Sequence, residues 1–341
     1  GVRKMSWLQI LWFFLLFVLF SGFFVLEGFD FGVGMSTKLL AHNSDEEDQL
    51  VATIGPHWDG NEVWLITAGG AMFASYPMWY ASLFSGFYIM FFLVLFGLIV
   101  RGVSFEFAAH AETKTGRNIW RWALACGSLI PPFILGMIFT AIIQPLPITK
   151  NGDVFPTLGN QINLLTIVGG VAVTLMMLMH GLNFIRLKTT GDLRKRARDW
   201  NSKLYYLLYA GEVVFAVLLF FMTDFFKERP ISTLLILVVI VGSTVAAHIG
   251  VLKDNEVLSF IGSALGLVGV VGVIFNGLFP RVMIGQNAAM SILAKDASAS
   301  PLTLTIMTIV AVILLPIALA YFIWSYVVFH KRIQAKGAVS E

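Results

Sequence analysis

A short polar segment runs directly into an apolar stretch and places two acidic residues where chemistry could occur. The segment from Gly55 to Trp64 contains Asp59 and Glu62, and the stretch from Leu65 to Phe73 that follows has no charged residue. The two acids are three residues apart, so on a helix they share one face. Each would cost about 2.5–3.5 kcal/mol at the centre of a bilayer, so acids at that depth face water or a bundle interior and suggest proton transfer. The alternative is that both lie among headgroups and mark a helix start, which the helix dipole favours.

A second acidic pair and a nearby cation extend this pattern. Glu27 and Asp30 have the same spacing near the end of the first apolar stretch. Arg101 and Glu106 flank the end of the third. Clustered carboxyls with one or two cations can bind protons reversibly, as a relay requires, although structural ion pairing of Arg101 with Glu106 is an equal alternative. We therefore predict a proton path of Asp59, Glu62, Glu27 and Asp30, supported by His57, Trp58, Asn61, Arg101 and Glu106.

Histidines are the residues most able to hold haem iron, whose axial ligands are usually His or Met. Three of the six lie near the ends of apolar stretches (His57, His180 and His248), and three lie in loops or near the C-terminus (His42, His110 and His330). A two-haem membrane cytochrome needs histidine pairs near both faces, whereas the predicted topology puts all six toward one. Cys126 is the only cysteine, which excludes an intrachain disulfide and a thiolate cluster. We therefore expect neither a haem ligand nor a metal site in this chain.

The composition indicates which elements must position these residues. Of the 341 residues, 57% are apolar and 13% are charged, and the mean hydropathy is +0.82. So few polar side chains cannot cover a water-soluble surface, and lipid must be the solvent. The net charge of +3 comes from basic residues in loops, which is a topology signal and gives no reason to expect nucleic acid. We predict an all-α integral membrane protein with one polytopic domain, residues 1–341.

Apolar stretches of roughly 17–25 residues, the length that crosses a bilayer, define the predicted helices. The run from Met5 follows Arg3 and Lys4 as a signal peptide would, but it is too long and lacks a small-residue cleavage pattern. It is therefore predicted to be the first membrane helix. The second stretch is the least apolar, since its first turns contain acidic residues. Nine transmembrane helices are predicted, at about 5–26, 54–74, 79–101, 118–143, 160–187, 203–223, 231–249, 256–279 and 302–329.

The Lys and Arg residues orient these nine helices, because cytoplasmic loops are enriched in them. With the N-terminus outside and the C-terminus cytoplasmic, most of the 23 basic residues, from Lys38 to Lys336, fall on the cytoplasmic side. Arg3 and Lys4 argue the other way. Glycines at 28, 32, 262, 266, 269 and 272 are predicted to let helices approach closely. Trp79 and Tyr326, near span ends, are predicted to be interfacial anchors.

Several stretches closely resemble subunit II of the cytochrome bd oxidases. The most specific is WDGNEVWLITAGG, residues 58–70, which is too long and too polar for a membrane helix to carry by chance. The resemblance covers nearly the whole chain and is least distinctive between residues 186 and 280. The stretches that carry it are Val25 to Met35, Pro56 to Phe73, Phe84 to Tyr88, Arg101 to Phe107, Gly127 to Pro132 and Leu302 to Pro316.

This resemblance implies a two-subunit respiratory oxidase of the bacterial cytoplasmic membrane, in which electrons from quinol reduce dioxygen to water. The partner, subunit I, would carry two b-type haems, the d-type haem and the quinol-oxidising loop, and the subunit resembled here would carry no haem ligand. Asp59 matches a family carboxylate that would line a proton path. Glu27, commonly Asp in the family, and Asp30 match nearby acidic positions. The implied fold is two four-helix bundles plus one helix, with quinone and lipid as further partners and a small accessory subunit left open.

Three other functions fit part of the pattern. A proton-coupled secondary transporter also keeps acids at bilayer depth, but it would have an inverted repeat and a site near the midplane, and the sequence has no convincing repeat. A stand-alone b-type cytochrome is disfavoured because the histidines lie toward one side. A purely structural scaffold for a catalytic partner stays open.

Overall fold

Long helices dominate the computed structural model, which describes residues 4–335. Arg3 and Lys336, two of the basic residues used to orient the chain, lie outside the described residues. The helices are α1 Trp7–Leu39, α2 Ser44–Ile54, α3 Trp58–Ser75, α4 Pro77–Gly86, α5 Tyr88–Ala109, α6 Lys114–Ala141, α7 Leu158–Gln161, α8 Leu164–Lys188, α9 Gly191–Met222, α10 Phe225–Glu228, α11 Pro230–Leu252, α12 Glu256–Leu278, α13 Ala294–Ala297 and α14 Pro301–Val328, and the strands are β1 Arg281–Met283 and β2 Ile292–Leu293.

Eight segments in the described part of the chain are long and apolar enough to cross a membrane, namely α1, α5, α6, α7 with α8, α9, α11, α12 and α14. The ninth predicted helix, 54–74, corresponds to α3, whose 18 residues include Asp59 and Glu62. Those two charges and the shorter length distinguish α3 from the other spans. The count of nine therefore stays a prediction.

Helix α3 lies antiparallel against α1 over most of its length. At one end the Asn61 side chain donates to the Leu26 carbonyl at 3.3 Å, and beyond the other end the Tyr76 hydroxyl donates to the Gln9 carbonyl at 2.5 Å. Residues 9 and 26 of α1 are separated by about 26 Å at 1.5 Å per residue. This approaches the hydrocarbon thickness of about 30 Å, so α3 covers nearly the same depth as α1.

The predicted boundaries of the third span, 79–101, are wrong. The chain breaks at Phe87, between a short α4 and a long α5 that continues to Ala109. Two contacts fix the position of α4: Pro77 begins it without needing an N–H partner, and Ser82 donates to the Gly152 carbonyl at 2.6 Å. Helix α4 is thus held by the loop before α7, and Arg101 lies inside α5 instead of at its end.

The long helices pack as two groups of four, α1, α3, α5 and α6 on one side and α8, α9, α11 and α12 on the other. Helices α1 and α6 join the groups, since α1 contacts α8 and α12 and α6 contacts α8, whereas α14 packs mainly against α3 and α1. Gly32 and Gly181 mark the α1–α8 crossing, where a Cβ on Gly32 would lie 2.2 Å from the Met177 carbonyl oxygen. At Gly262, likewise, a Cβ would lie 2.7 Å from the Ala247 backbone nitrogen. These glycines allow close helix contact, as predicted.

Trp79 is part of the protein core and is not an interfacial anchor, so that prediction is wrong. Its side chain is 1% exposed and stacks on Phe13 with ring centroids 6.0 Å apart. The rings of Tyr76 and Phe275 contact it edge-on.

The basic helix ends lie together on one face of the molecule. Helix α2 contributes Asp48, which pairs with Arg117 and Arg121 of α6, and Glu46, which pairs with Arg196 of α9 at 2.5 Å. Partial burial works to raise the pKa of Asp48, but the hydrogen bonds from Arg117 and Arg121 outweigh it and hold that pKa below its usual range. This shared basic face is what an inside-positive topology requires. Which side of the membrane it faces stays a prediction.

Asp254 connects two helix pairs on the same face. It lies between α11 and α12 and accepts hydrogen bonds from Arg194 and Arg186, each at 3.0 Å. The hydrogen bond from Arg194, aided by that from Arg186, lowers the pKa of Asp254 to about 2. The carboxylate is therefore ionised at physiological pH and ties α8 and α9 to the α11–α12 turn.

We expect Gly32→Ala to lower the melting temperature of the purified assembly, because the new methyl group would force α1 and α8 apart. Overpacking of this kind typically costs about 1–3 kcal/mol. Gly242→Ala is the matched control, since no atom lies within 4 Å of a Cβ there. Equal melting temperatures for the two variants would contradict the account of the crossing.

We expect Asp254→Asn to reduce thermal stability by an amount that does not change between pH values of about 5 and 8. The folded pKa lies below the unfolded one, so the stabilisation is complete above about pH 4 and disappears only as the pH falls through the folded value. Melting curves of the purified complex across that range measure it, with exposed Asp192→Asn on the same face as the control. A difference in melting temperature between parent and Asp254→Asn that grows or vanishes between these pH values would rule out Asp254 as the ionised partner of Arg186 and Arg194.

Candidate functional site

An ion pair lies buried between α1 and α5. Glu27 and Arg101 are both 0% exposed, and the Arg101 guanidinium donates to Glu27 Oε1. Helix α6 passes close behind, since a Cβ on Gly127 would lie 2.8 Å from the Arg101 backbone nitrogen. A buried ion pair rarely adds net stability, because desolvation opposes the Coulomb attraction. Its presence here is therefore better explained by function than by stability.

Aromatic rings surround the Arg101 guanidinium. Its central carbon lies 4.9 Å from the Phe31 ring centroid, 5.6 Å from Phe105 and 6.0 Å from Trp58. Trp58 also stacks on Phe105, with centroids 4.6 Å apart. Such contacts stabilise a cation where water is excluded. The structure thus places the predicted supporting residues Trp58 and Arg101 in one cluster.

Asp30 lies one helical turn after Glu27 and is fully buried. Its Oδ2 accepts from Asn61 Nδ2 at 2.5 Å, and Asn61 Oδ1 accepts from the Tyr326 hydroxyl at 2.6 Å. Both ends of the Asn61 amide are therefore engaged, which fixes its orientation between α1 and α14. Tyr326 was expected to be an interfacial anchor, and its hydrogen bond to Asn61 instead makes it part of the site.

His57 fixes Tyr326 from the other side. The two rings stack with centroids 4.1 Å apart and planes within 7°. His57 precedes α3 and is 4% exposed, and its Nδ1 has no hydrogen-bond partner in residues 4–335. The predicted support from His57 is therefore a packing contact that positions Tyr326, and through it Asn61.

The remaining two predicted path residues lie progressively nearer the surface. Glu62 is half-buried, and its charged neighbours are Arg101 and Asp59. Asp59 is exposed in the first turn of α3. The same side of α3 exposes apolar Val63 and Ile66. The four acids therefore form a series from an exposed carboxylate, through a half-buried one, to a buried pair.

Glu106 does not belong to this cluster, and its predicted supporting role is withdrawn. Its side chain is 79% exposed, and its one charged contact is His110, at 3.9 Å. Five residues separate it from Arg101, which at 100° per residue places the two side chains about 140° apart around α5. Arg101 consequently faces the bundle while Glu106 faces outward.

Several polar atoms of the buried cluster have no hydrogen-bond donor or acceptor in the described part of the chain. They are Glu27 Oε2, Asp30 Oδ1, Arg101 Nε and one terminal nitrogen of Arg101. The two carboxyl groups adjoin each other. Unsatisfied buried groups cost about 1–3 kcal/mol each. Carboxyl oxygens in this state can accept a proton without first losing another partner.

Two histidines within the long helices are hydrogen-bonded inside this chain. His180 is buried, and both of its ring nitrogens are engaged, Nδ1 with Ser263 Oγ at 2.7 Å and Nε2 with the Val25 carbonyl at 2.9 Å. His248 Nδ1 is paired with the Tyr209 hydroxyl at 3.0 Å. Residues 4–335 contain no group of three or more His, Cys, Asp or Glu side chains arranged to hold a metal ion.

One acidic residue of the membrane interior was missed by the sequence analysis. Glu212 lies inside the predicted span 203–223 and is half-buried in α9. A single carboxyl in the middle of an apolar run was the signal that could have found it, since charges are rare at that depth.

Comparison with known proteins identifies relatives along the whole chain. Residues 8–329 match the family model of cytochrome bd terminal oxidase subunit II. Cytochrome bd ubiquinol oxidase subunit 2 of Bacillus subtilis is 44% identical over 333 residues, which cover 97% of this chain and 98% of that protein. Cytochrome bd-I ubiquinol oxidase subunit 2 of Escherichia coli K12 is 34% identical, covering 94% and 93%. A chain of the bd oxidase from Geobacillus thermodenitrificans has the same fold, with a TM-score of 0.77 and 15% identity, over 96% of this chain and 100% of that one.

We expect Arg101→Gln to destabilise the protein by about 3–5 kcal/mol, because it leaves Glu27 as a buried charge without its cation. Adding Glu27→Gln should recover much of that loss. Chemical unfolding of the detergent-purified complex measures both, and Glu106→Gln, on the outer side of the same helix, should stay within about 0.5 kcal/mol of the parent. A double variant as unstable as the single one would mean that the loss has another origin.

Proposed function

Because the chain belongs to the family of cytochrome bd terminal oxidase subunit II, we propose that it supports a haem-bearing subunit I and lines a path for protons taken up from the cytoplasm. The chain is a subunit of a respiratory oxidoreductase and a multi-pass protein of the bacterial cytoplasmic membrane. Membership of this family sets aside the secondary transporter and the stand-alone cytochrome as functions.

The proton path is proposed to begin at Asp59 and to end at the buried carboxyl pair. Asp59 is exposed, Glu62 is half-buried three residues further along α3, and Glu27 lies deepest, 12 residues from the end of α1. At 1.5 Å per residue that depth is about 18 Å. The series therefore leads from the basic face into the membrane interior.

Arg101 is proposed to hold the charge balance of the buried pair. With both carboxyls ionised, Glu27, Asp30 and Arg101 carry a net charge of one negative unit in a site closed to solvent. With one proton bound, the three groups are neutral. Because a buried net charge is costly, the cluster gains from binding one proton, and the unpartnered Glu27 Oε2 and Asp30 Oδ1 are the atoms that can take it.

Subunit I is proposed to cover the face formed by α3 and α14. Asp59 is exposed there beside apolar Val63 and Ile66, and Leu304 is the one buried residue of α14. Lipid does not tolerate a charged side chain within the hydrocarbon, whereas a protein partner or an enclosed aqueous path does. With subunit I on this face, Asp59 would lie between the two polypeptides.

The finer expectations of the sequence analysis complete the proposal. They comprise nine transmembrane helices in one domain of residues 1–341, an outside N-terminus and a cytoplasmic C-terminus. Subunit I would ligate two b-type haems and one d-type haem, and quinol would be its substrate. When bound there, these haems supply the electron transfer to dioxygen. Quinone and lipid are the further partners proposed, and the presence of a small accessory subunit stays open.

The physical purpose of the path follows from the energetics of the membrane. Dioxygen reduction consumes protons, and drawing them from the cytoplasm stores energy across the membrane. The work is about 2.3 kcal/mol per charge for each 100 mV. The observation that carries this proposal is the buried Glu27 and Asp30 pair beside Arg101, with Glu62 and exposed Asp59 leading to it.

We expect Asp59→Asn to slow dioxygen consumption by the assembled oxidase while its optical haem spectrum persists, because the carboxylate that collects protons is lost. General acid–base groups typically contribute about 100-fold or more, so the loss should be large. Glu62→Gln should cause a weaker loss. Exposed Glu112→Gln, in the loop after α5, is the control and should leave turnover unchanged. Full turnover of Asp59→Asn across the pH range would exclude the proposed path.

A further inference from the structure

Another ionisable side chain, Glu212, lies inside the membrane. It belongs to the helix group of α8, α9, α11 and α12, whereas Arg101 belongs to the other group. Glu212 of α9 accepts a hydrogen bond from the Thr244 hydroxyl of α11 through Oε1. Its Oε2 is buried and has no hydrogen-bond partner in residues 4–335. No salt bridge reaches it from the described cations. In the described residues, the hydrogen-bond partner of this buried carboxyl is therefore the uncharged Thr244 hydroxyl.

Two stripes of polar residues face each other beside it. On α9, Tyr205, Tyr209 and Glu212 follow one another at spacings of four and three, which places them on one side of the helix. On α11, Thr244 and His248 are four residues apart and share a side. The stripes touch twice along their length, where Thr244 donates to Glu212 and where the Tyr209 hydroxyl pairs with His248 Nδ1 at 3.0 Å.

The stripes begin at the basic face of the molecule. His248 lies in the last turn of α11, which ends at Leu252, and Arg198 donates to the carbonyls of Val251 and Leu252 at 2.9 and 2.8 Å. His248 is half-buried, and the Tyr205 ring stacks on it with centroids 4.7 Å apart. Thr244 is eight residues from the helix end, or about 12 Å deeper. Glu212 thus ends a short polar line that runs inward from this face.

Beyond Glu212 the surroundings are apolar. The carboxyl borders a groove of about 340 Å³ between α6, α8, α9, α11 and α12. Of the residues that line this groove, only Glu212 can ionise. The titratable side chain nearest to it on its own helix is Tyr209, three residues earlier on the same side of α9, and His248 of α11 is hydrogen-bonded to Tyr209. An ionised carboxylate at this depth costs about 2.5–3.5 kcal/mol, and neither Thr244 nor Tyr209 supplies a compensating charge.

We propose that Glu212 is a second proton-binding site, loaded from the basic face through His248 and Tyr209. When a proton binds His248 Nε2, a buried atom with no hydrogen-bond partner in residues 4–335, the Nδ1 proton passes to the Tyr209 oxygen and the Tyr209 hydroxyl proton passes to the Glu212 carboxylate. One proton has then been added to Glu212, and neutral His248 carries its proton on Nε2 instead of Nδ1. Release of the Glu212 proton along the same route in reverse restores the starting state, and nothing is oxidised or reduced. The site lies in the helix group of α8, α9, α11 and α12, whereas the Glu27 pair lies between α1 and α5.

Infrared difference spectroscopy of the assembled oxidase in H2O and D2O tests this site directly. We expect a protonated-carboxyl C=O band that shifts in D2O and is lost in Glu212→Gln. Thr244→Val keeps the acid but removes its hydrogen bond, so the band should move to higher frequency and persist. This second variant preserves the test if Glu212→Gln fails to assemble.

The route is tested by the rate at which the band shifts after transfer to D2O. Tyr209→Phe removes the hydroxyl with little change in shape and should slow that exchange, whereas exposed Asp199→Asn on α9 should leave it unchanged. If the protonated-carboxyl band persists unchanged in Glu212→Gln, or if no such band is seen in the parent oxidase, Glu212 is not a proton-binding site. Unchanged exchange in Tyr209→Phe would overturn the route. Asp59→Asn should leave the band intact, so failure here is distinguishable from failure of the proposed function.

Discussion

The solvation cost of charge inside a lipid-embedded protein is the constraint on which this structure depends. Glu27, Asp30 and Arg101 are closed to solvent, and each needs a partner that water would otherwise supply. The fold provides those partners by bringing α1 and α5 together and by surrounding the guanidinium with aromatic rings. Gly127 allows α6 to approach the backbone at Arg101, which completes the enclosure. The packing of the first helix group is therefore organised around three ionisable side chains.

The same constraint applies to the exposed face formed by α3 and α14. Helix α3 protects Asn61 against α1 but leaves Asp59 exposed on an apolar face. Helix α14 touches α3 and α1 and little else. A charge on such a face is costly within the hydrocarbon, and the subunit proposed to cover it would remove that cost. The distribution of polarity along α3 therefore agrees with the proposed position of subunit I.

Much of the helical architecture was predictable because apolar length is a direct consequence of bilayer thickness. The acidic residues of the site were predictable for the same reason, since their cost makes them conspicuous. The position of α4 depends on a contact with a loop more than sixty residues away, which no local pattern shows. Tyr326 is hydrogen-bonded to Asn61, which lies 265 residues earlier in the chain. Trp79 has the sequence position of an interfacial anchor, and only the structure shows that its side chain is buried in the core. Helical periodicity could have separated Glu106 from Arg101, and a search for single acids within spans could have found Glu212.

The sparse packing of α14 has a consequence for biosynthesis. The helices that carry Glu27, Asp30 and Arg101 emerge from the ribosome well before α14, and chains fold from the N-terminus as they are made. Tyr326 reaches Asn61 only when α14 has been inserted. Until then the Asn61 carbonyl oxygen lacks that donor. Completion of the Asp30 hydrogen-bond chain therefore requires that α14 has been translated and has packed against α1 and α3.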